Sequence, residues 1–93
     1  MFDKKELRKA INDFIKINTN CTVQNQTLCD DVFSFAFIEN ARVSWRRKDF
    51  VLHKPKAISF GIPYSEITGF NEYEKCINIE LTKRRLVSIR GIG

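Results

Sequence analysis

The sequence predicts an α+β domain in which an N-terminal amphipathic helix packs on an antiparallel β-sheet of about five to six strands in a meander-like order. Three observations carry this prediction. Apolar residues recur with helical spacing up to about residue 17, the apolar period changes to two from residue 21 onward, and short polar turns separate the alternating segments. The 93 residues suffice for a single domain, with a helix over about 4–17 and a β-rich region over about 21–91.

The helix is predicted from its start signal and its apolar stripe. Asp3 is a good N-cap, Glu6 completes a capping box, and Phe2 and Leu7 flank the cap as a hydrophobic staple. We expect the basic residues outside the stripe to be solvated. The residues with helical spacing, which should face the sheet, are Leu7, Ala10, Ile11, Phe14 and Ile15.

Residues 32–38 alternate so that Phe33, Phe35 and Phe37 share one face of a strand. The other face is also nearly apolar, which is typical of a central strand covered on both sides. Alternating aromatics also form the base-stacking surfaces of RNA-binding sheets. Because this strand carries no Arg or Lys, we interpret its phenylalanines as core residues that face the helix.

Two hairpins with basic turns follow. The first pairs residues 42–46 with 50–53 and sets Trp45 opposite Phe50, although its turn lacks a Gly or Asn that would supply a positive φ. The last hairpin is predicted with a Lys83-Arg84-Arg85 loop that sets Leu81 opposite Val87. Between them, Pro63 either bends one long strand or begins a reversal of the chain, because proline cannot donate to a β-ladder.

Positive charge is concentrated near these turns. The net charge is +5, residues 41–56 hold six basic residues against one acidic residue, and residues 82–93 hold four basic residues and no acidic one. In a meander, either interpretation of Pro63 places the last basic turn at the same end as another one. If Pro63 begins a reversal, that other turn is Arg46-Arg47-Lys48. If Pro63 only bends a long strand, it is the segment 53–56. We therefore expect one end of the sheet to present about five to six cationic groups.

Such an end favours an anionic partner, and we predict a small basic nucleic-acid-binding module. RNA or single-stranded DNA is favoured over duplex DNA because no helix resembles a helix-turn-helix reader. The predicted aromatic contacts are Trp45 and Tyr73. The predicted charged contacts are Arg42, Arg46, Arg47, Lys48, His53, Lys54, Lys56, Lys83, Arg84, Arg85 and Arg90.

Two alternatives remain open at this point. The chain would also fit a non-catalytic inhibitor or adaptor that binds an acidic or nucleic-acid-binding protein, for example a phage-encoded protein that blocks a host or defence enzyme. An exposed sheet edge would then permit a homodimer. The basic clusters would otherwise be solvated hairpin tips that keep the protein soluble.

Catalytic, metal and membrane functions are not predicted. His53 is the only histidine, and a metal-independent ribonuclease is the only enzyme that its surroundings suggest. Cys21, Cys29 and Cys76 lack the spacing of a zinc module, so we expect reduced thiols and no cofactor. The start of the chain has no apolar signal segment and no apolar run is long enough to span a bilayer, so we expect a cytoplasmic protein.

Overall fold

The computed structural model describes residues 3–27, 32–53 and 59–92. These residues form one α-helix, eight β-strands and a short 3-10 helix. In chain order the elements are α1 (Lys4–Ile17), β1 (Cys21–Thr27), β2 (Val32–Ile38), β3 (Arg42–Trp45), β4 (Asp49–His53), β5 (Ser59–Pro63), the 3-10 helix (Tyr64–Glu66), β6 (Ile67–Tyr73), β7 (Cys76–Leu81) and β8 (Arg85–Gly91).

Helix α1 has the predicted bounds. The carboxylate of Asp3 accepts hydrogen bonds from the backbone N–H groups of Lys5 (2.9 Å) and Glu6 (3.4 Å), which satisfies two donors that a helix start leaves free. The predicted staple through Phe2 lies outside the described residues. The buried side chains of α1 are Leu7, Ala10, Ile11 and Phe14, as the apolar stripe predicts.

The strands form two antiparallel sheets. The larger sheet has the order β2-β1-β8-β7-β6, and the smaller sheet has the order β3-β4-β5. The predicted α+β class is confirmed, and the larger sheet has a strand number within the predicted range. Its order departs from a simple meander because the polar strand β1 lies between β2 and β8, where Cys21 and Val23 reach the core.

The first hairpin has the predicted register, with Trp45 opposite Phe50. The last hairpin differs by two residues, because Leu81 lies opposite Arg85 and Ile79 opposite Val87. A shift of two positions keeps each side chain on its predicted face of the sheet. The loop is residues 82–84 rather than 83–85, since two left-handed residues let the chain reverse one position earlier.

Helix α1 and the two sheets share one hydrophobic core, in which Leu7, Ile38, Phe50 and Ile79 are fully buried. Burial of large apolar side chains is the main source of stability in such a domain. The core also brings α1 close to edge strand β6, and the two elements line a groove through Glu6, Asp13 and Glu72.

The prediction that the phenylalanines of β2 face the core is wrong for the two rings that the structure describes. Phe35 is 62% exposed and Phe37 is 45% exposed, whereas Ile38 on the opposite face is fully buried. Strand β2 is an edge strand and not a central one. Alternation shows which residues share a face, but it does not show which of two apolar faces the rest of the chain covers.

Candidate nucleic-acid interface

The two basic turns lie on opposite sides of the 3-10 helix. On one side, the backbone N–H of Tyr64 donates to the carbonyl of Lys48 (3.0 Å), and the Tyr64 hydroxyl donates to the carbonyl of Arg46 (3.0 Å). On the other side, the N–H of Thr82 donates to the carbonyl of Glu66 (2.8 Å). Three consecutive residues therefore tie both turns into one surface.

Strand β5 ends and strand β6 begins at this surface. Pro63 pairs with Asp49, next to the first basic turn, and Ile67 pairs with Leu81, next to the last one. Pro63 therefore neither bends one long strand nor begins a reversal within one sheet, because the chain passes there from the smaller sheet, through the 3-10 helix, to the larger one. The last basic turn lies beside the turn between β3 and β4, and both contact the 3-10 helix.

The turn between β3 and β4 is closed by its flanking residues. The N–H of Arg46 donates to the carbonyl of Asp49 (2.9 Å), and the Arg46 guanidinium lies 4.0 Å from the Asp49 carboxylate. Arg47 and Lys48 are exposed. Because the Arg46 side chain is 63% exposed, this ion pair is weak, and Arg46 is free to exchange it for a phosphate.

The turn between β7 and β8 holds its two exposed cations in a disfavoured backbone conformation. Lys83 has a φ of 60° and Arg84 has a φ of 57°, in the left-handed region that favours Gly and Asn. The Arg46-Arg47-Lys48 turn, which also lacks a Gly or Asn, has no residue with a positive φ. Next to the Lys83-Arg84 turn, Arg85 lies 3.9 Å from Glu66.

The first turns of α1 add two cations, Lys4 and Arg8, of which the sequence predicts Arg8 on a solvated face. The Lys4 ammonium lies 4.0 Å from the centre of the Tyr64 ring, and the Arg8 guanidinium lies 5.5 Å from the centre of the Trp45 ring. Their four-residue spacing on one helix face is the only signal in the sequence, and it does not show what that face contacts. We call the combined surface the cationic end, formed by Lys4, Arg8, Arg46, Arg47, Lys48, Lys83, Arg84 and Arg85.

An open groove runs across the cationic end. It has a volume of about 520 Å³ and is lined by Arg47, Lys48 and Asp49 on one side and by Pro63, Tyr64 and Ser65 on the other. Burial raises the pKa of Tyr64, and the nearby Asp49 carboxylate raises this pKa further, although Arg8 acts in the opposite direction. The hydroxyl therefore stays protonated and keeps its hydrogen bond to the turn.

Four predicted contacts lie away from the cationic end. Arg42 and His53 face each other at the opposite end of the smaller sheet, where the imidazole Nε2 lies 3.0 Å from the hydroxyl of Ser44. Arg90 and Tyr73 lie at the end of the larger sheet that is opposite the Lys83-Arg84 turn. Lys54 and Lys56 lie outside the described residues.

Trp45 is at the cationic end, but its ring is already engaged. Its Nε1–H donates to the side-chain oxygen of Asn12 (3.2 Å), and its ring centre lies 4.9 Å from that of Phe50. With Arg8 over the ring, Trp45 fixes α1 against the smaller sheet. Stacking on a base would require these contacts to be displaced.

The titratable groups of the core are separate from this surface. Cys21 is buried, and burial raises the pKa of its thiol to about 11, so it remains a neutral thiol at physiological pH.

Within residues 3–27, 32–53 and 59–92, no three His, Cys, Asp or Glu residues form a group that would hold a metal ion. In the same ranges, no helix is long and apolar enough to cross a bilayer.

Comparison of the chain with protein-family models, with curated proteins and with solved structures finds no match. The interpretation of the surface therefore depends on its residues alone.

Proposed function

We propose that this chain is a small, non-catalytic nucleic-acid-binding module that holds RNA or single-stranded DNA at its cationic end. The observation that carries the proposal is the shared 3-10 helix, which joins two separate basic turns into one surface. Six of the predicted charged contacts meet there, and Lys4 and Arg8 extend the surface. A cytoplasmic location is part of the same proposal.

The geometry of the cationic end fits a flexible phosphate backbone. The groove beside Tyr64 is open, and Arg47 and Lys48 line it with exposed side chains. Arginine offers paired donors to a phosphate, and each neutralised phosphate releases counterions. The cations lie on turns and on a helix start, which adapt to a single strand more readily than to the fixed spacing of a duplex.

The test is a titration of labelled single-stranded RNA, single-stranded DNA and duplex DNA at two salt concentrations, after copurifying nucleic acid has been removed at high salt. We expect salt-dependent binding with single strands preferred. Replacing Lys83 and Arg84 by Gln should weaken all complexes and should reduce the slope of log K against log salt by up to about 1.4, if each cation neutralises one phosphate of a single strand.

A matched control removes the same charge elsewhere. Lys9→Gln with Lys16→Gln takes two exposed cations from α1 and leaves both basic turns intact. This control should bind almost as tightly as the native chain. If wild-type protein binds none of the three ligands at low salt, the proposal fails, and a protein-binding inhibitor or adaptor becomes the better proposal, to be pursued by pull-down of a protein partner.

A further inference from the structure

The outer face of the five-stranded sheet carries two complete rows of side chains across all five strands. Residues that pair directly across strands share a face, with neighbouring strands about 4.8 Å apart and successive rows about 7 Å apart. One row consists of Phe37, Thr22, Arg90, Cys76 and Tyr73, and the next of Phe35, Gln24, Ser88, Asn78 and Asn71.

The exposed aromatic rings collect on this face. Over the described residues, the strongly exposed aromatic side chains are Phe35, Tyr73 and Phe37, and all three belong to the two rows. The side chain of Phe33 lies outside the described part of the chain. Phe35 and Phe37 lie on edge strand β2, and Tyr73 lies on the opposite edge strand β6. Exposing an aromatic ring to water is unfavourable, so exposed rings that share one face of a sheet indicate a ligand.

The side chains between the rings are polar and are held in place by one another. The Cys76 thiol donates to the side-chain oxygen of Asn78 (3.2 Å) and lies 3.4 Å from the hydroxyl of Ser88. Arg90 Nε donates to the same hydroxyl (3.4 Å), and the amide of Gln24 donates to that of Gln26. The Ser88 hydroxyl at the centre of this network is buried, with 1% of the residue exposed, so it holds its neighbours in place. The groups left to meet a ligand are the exposed Arg90 and the half-buried amides of Gln24 and Asn78.

This mixture is closer to a base-binding surface than to a protein interface. The core of a protein interface is depleted in charge and is largely apolar, whereas here Thr, Gln, Asn, Ser and Arg separate three isolated rings. Unpaired bases stack on aromatic rings, and their edges accept hydrogen bonds from amides and guanidinium groups. Arg90 also supplies a positive charge in the same row as Phe37 and Tyr73.

The face leads directly to the cationic end. The next row along the strands contains Gln26, Leu86 and Glu80, and the Thr82-Lys83-Arg84 turn follows immediately. Glu80 is an acidic residue in this row, and its carboxylate accepts a hydrogen bond from Asn71 (3.3 Å). A single strand is therefore able to lie across the rings with its phosphates reaching the turn.

We propose that Phe35 and Phe37 stack on the bases of a single-stranded nucleic acid, with Tyr73 and Arg90 as the far side of the same base-binding face. This proposal rests on the proposed function and makes it more specific. It identifies unpaired bases as part of the ligand, and it places the binding of bases on the sheet and that of phosphates at the cationic end.

The experiment compares Phe35→Ala/Phe37→Ala with native protein for labelled single-stranded oligouridylate and for a duplex of equal length. Loss of one stacked base lowers affinity by about 5- to 150-fold, so we expect at least a tenfold loss for the single strand. Duplex affinity and the salt slope should stay unchanged because no charge is removed. Phe35→Tyr/Phe37→Tyr, which keeps both rings, should retain affinity.

Controls separate stacking from folding and assembly. Ile17→Ala removes an apolar side chain that is 84% exposed. Ile17 lines a groove together with Tyr73 but belongs to neither row and lies on α1, so its loss should leave stacking on Phe35 and Phe37 unchanged. If the alanine pair does not fold, Phe35→Leu/Phe37→Leu keeps the apolar bulk and should still lose affinity. Photo-cross-links from thiouridine in the oligonucleotide should map to β2 in the native protein.

The possible failures are distinguishable. If native protein binds no nucleic acid, both proposals fail. If it binds, and the Lys83→Gln/Arg84→Gln variant weakens binding but loss of both phenyl rings does not, only the base-binding face is wrong. If the native protein is a dimer in sedimentation and the alanine pair is a monomer, the rings form an interface between copies, and this inference is overturned.

Discussion

Lys83 and Arg84 occupy a backbone conformation that their side chains disfavour. Most residues with a β-carbon are less stable by about 1–2 kcal/mol in the left-handed region than in the right-handed one. Gly has no β-carbon, and the short side chain of Asn offsets part of the cost through local hydrogen bonds. Both positions of this turn lie in the left-handed region and both carry exposed cations. Strain of this type is retained most often where a side chain has a function, and here it places two positive charges at the cationic end.

Replacing Lys83 by Asn and Arg84 by Gly should therefore stabilise the fold and impair binding. The pair Asn-Gly suits a turn with two left-handed residues. We expect the free energy of unfolding to rise by about 1 kcal/mol net, after the entropy that Gly adds to the unfolded chain is subtracted from the relief of strain. Urea unfolding monitored by circular dichroism measures this change. Affinity for single strands should fall, since both charges are removed.

The control for that prediction is Lys83→Gln/Arg84→Gln, which removes the same charge but keeps two residues that resist positive φ. It should lose as much affinity as the Asn-Gly variant without the gain in stability. Equal stability of the two variants would show that the strain at this turn is small. The strain would then no longer indicate a function for Lys83 and Arg84.

At the scale of elements, the end of α1 is packed tightly against the end of β8. A β-carbon at Gly91 would lie 2.5 Å from Cγ and 3.0 Å from Cβ of Asn18. The Asn18 side chain donates to the carbonyl of Phe14 (3.2 Å) and so completes the C-terminal turn of the helix. Gly91 is therefore required by the close approach of helix and strand, although the glycine has no unusual φ.

We predict that Gly91→Ala lowers the free energy of unfolding by about 1–3 kcal/mol, because either Asn18 or the strand must move. The measurement is chemical denaturation. Gly69→Ala is the matched control, since its added carbon would come no closer than 3.9 Å to Glu80. In an Asn18→Ala background the cost of Gly91→Ala should shrink, and an unchanged cost would refute the proposed contact.

The elements differ in how far the sequence predicts them. Helix α1 was predicted correctly because Asp3 and the apolar stripe are local signals, and the first hairpin because Trp45 and Phe50 pair across a short loop. The exposed face of β2 was missed, since Phe35 and Ile38 are both apolar and only tertiary packing decides which is covered. The position of β1 between β2 and β8 likewise depends on pairing between distant segments.

The candidate site, too, is predicted from the sequence only in part. The sequence predicts that the last basic turn lies beside another one, but it derives this from a single meander, whereas the two turns belong to different sheets and meet at the 3-10 helix. The contribution of Lys4 and Arg8 was not predictable, because it depends on where α1 crosses the smaller sheet. Arg90, Tyr73 and Phe37 share a row only because five strands pair in one order and register. The sequence predicts only some of these four pairings between neighbouring strands.

At the scale of the whole molecule, charge is divided between two surfaces. The cationic end lies around the 3-10 helix. A groove between α1 and β6 is lined by three carboxylates, those of Glu6, Asp13 and Glu72, and by one cation, Lys9. The net charge of +5 is a sum over surfaces of opposite sign, so the electrostatic potential at the cationic end is more positive than the sum suggests. Binding to a polyanion should depend on the position of the charges and not on their sum.

A charge-restored variant tests that dependence. Lys83→Gln/Arg84→Gln removes two positive charges, and adding Asp13→Asn/Glu72→Gln removes two negative ones, so the four-residue variant regains the net charge of +5. We expect its affinity for single strands to stay close to that of the Gln pair, because the lost contacts are local and the gained charge is distant and screened beyond about 8 Å at physiological salt. Titration at low and at physiological salt measures this. Recovery of native affinity at physiological salt would mean that the protein attracts nucleic acid through net charge alone, and it would argue against a defined site at the cationic end.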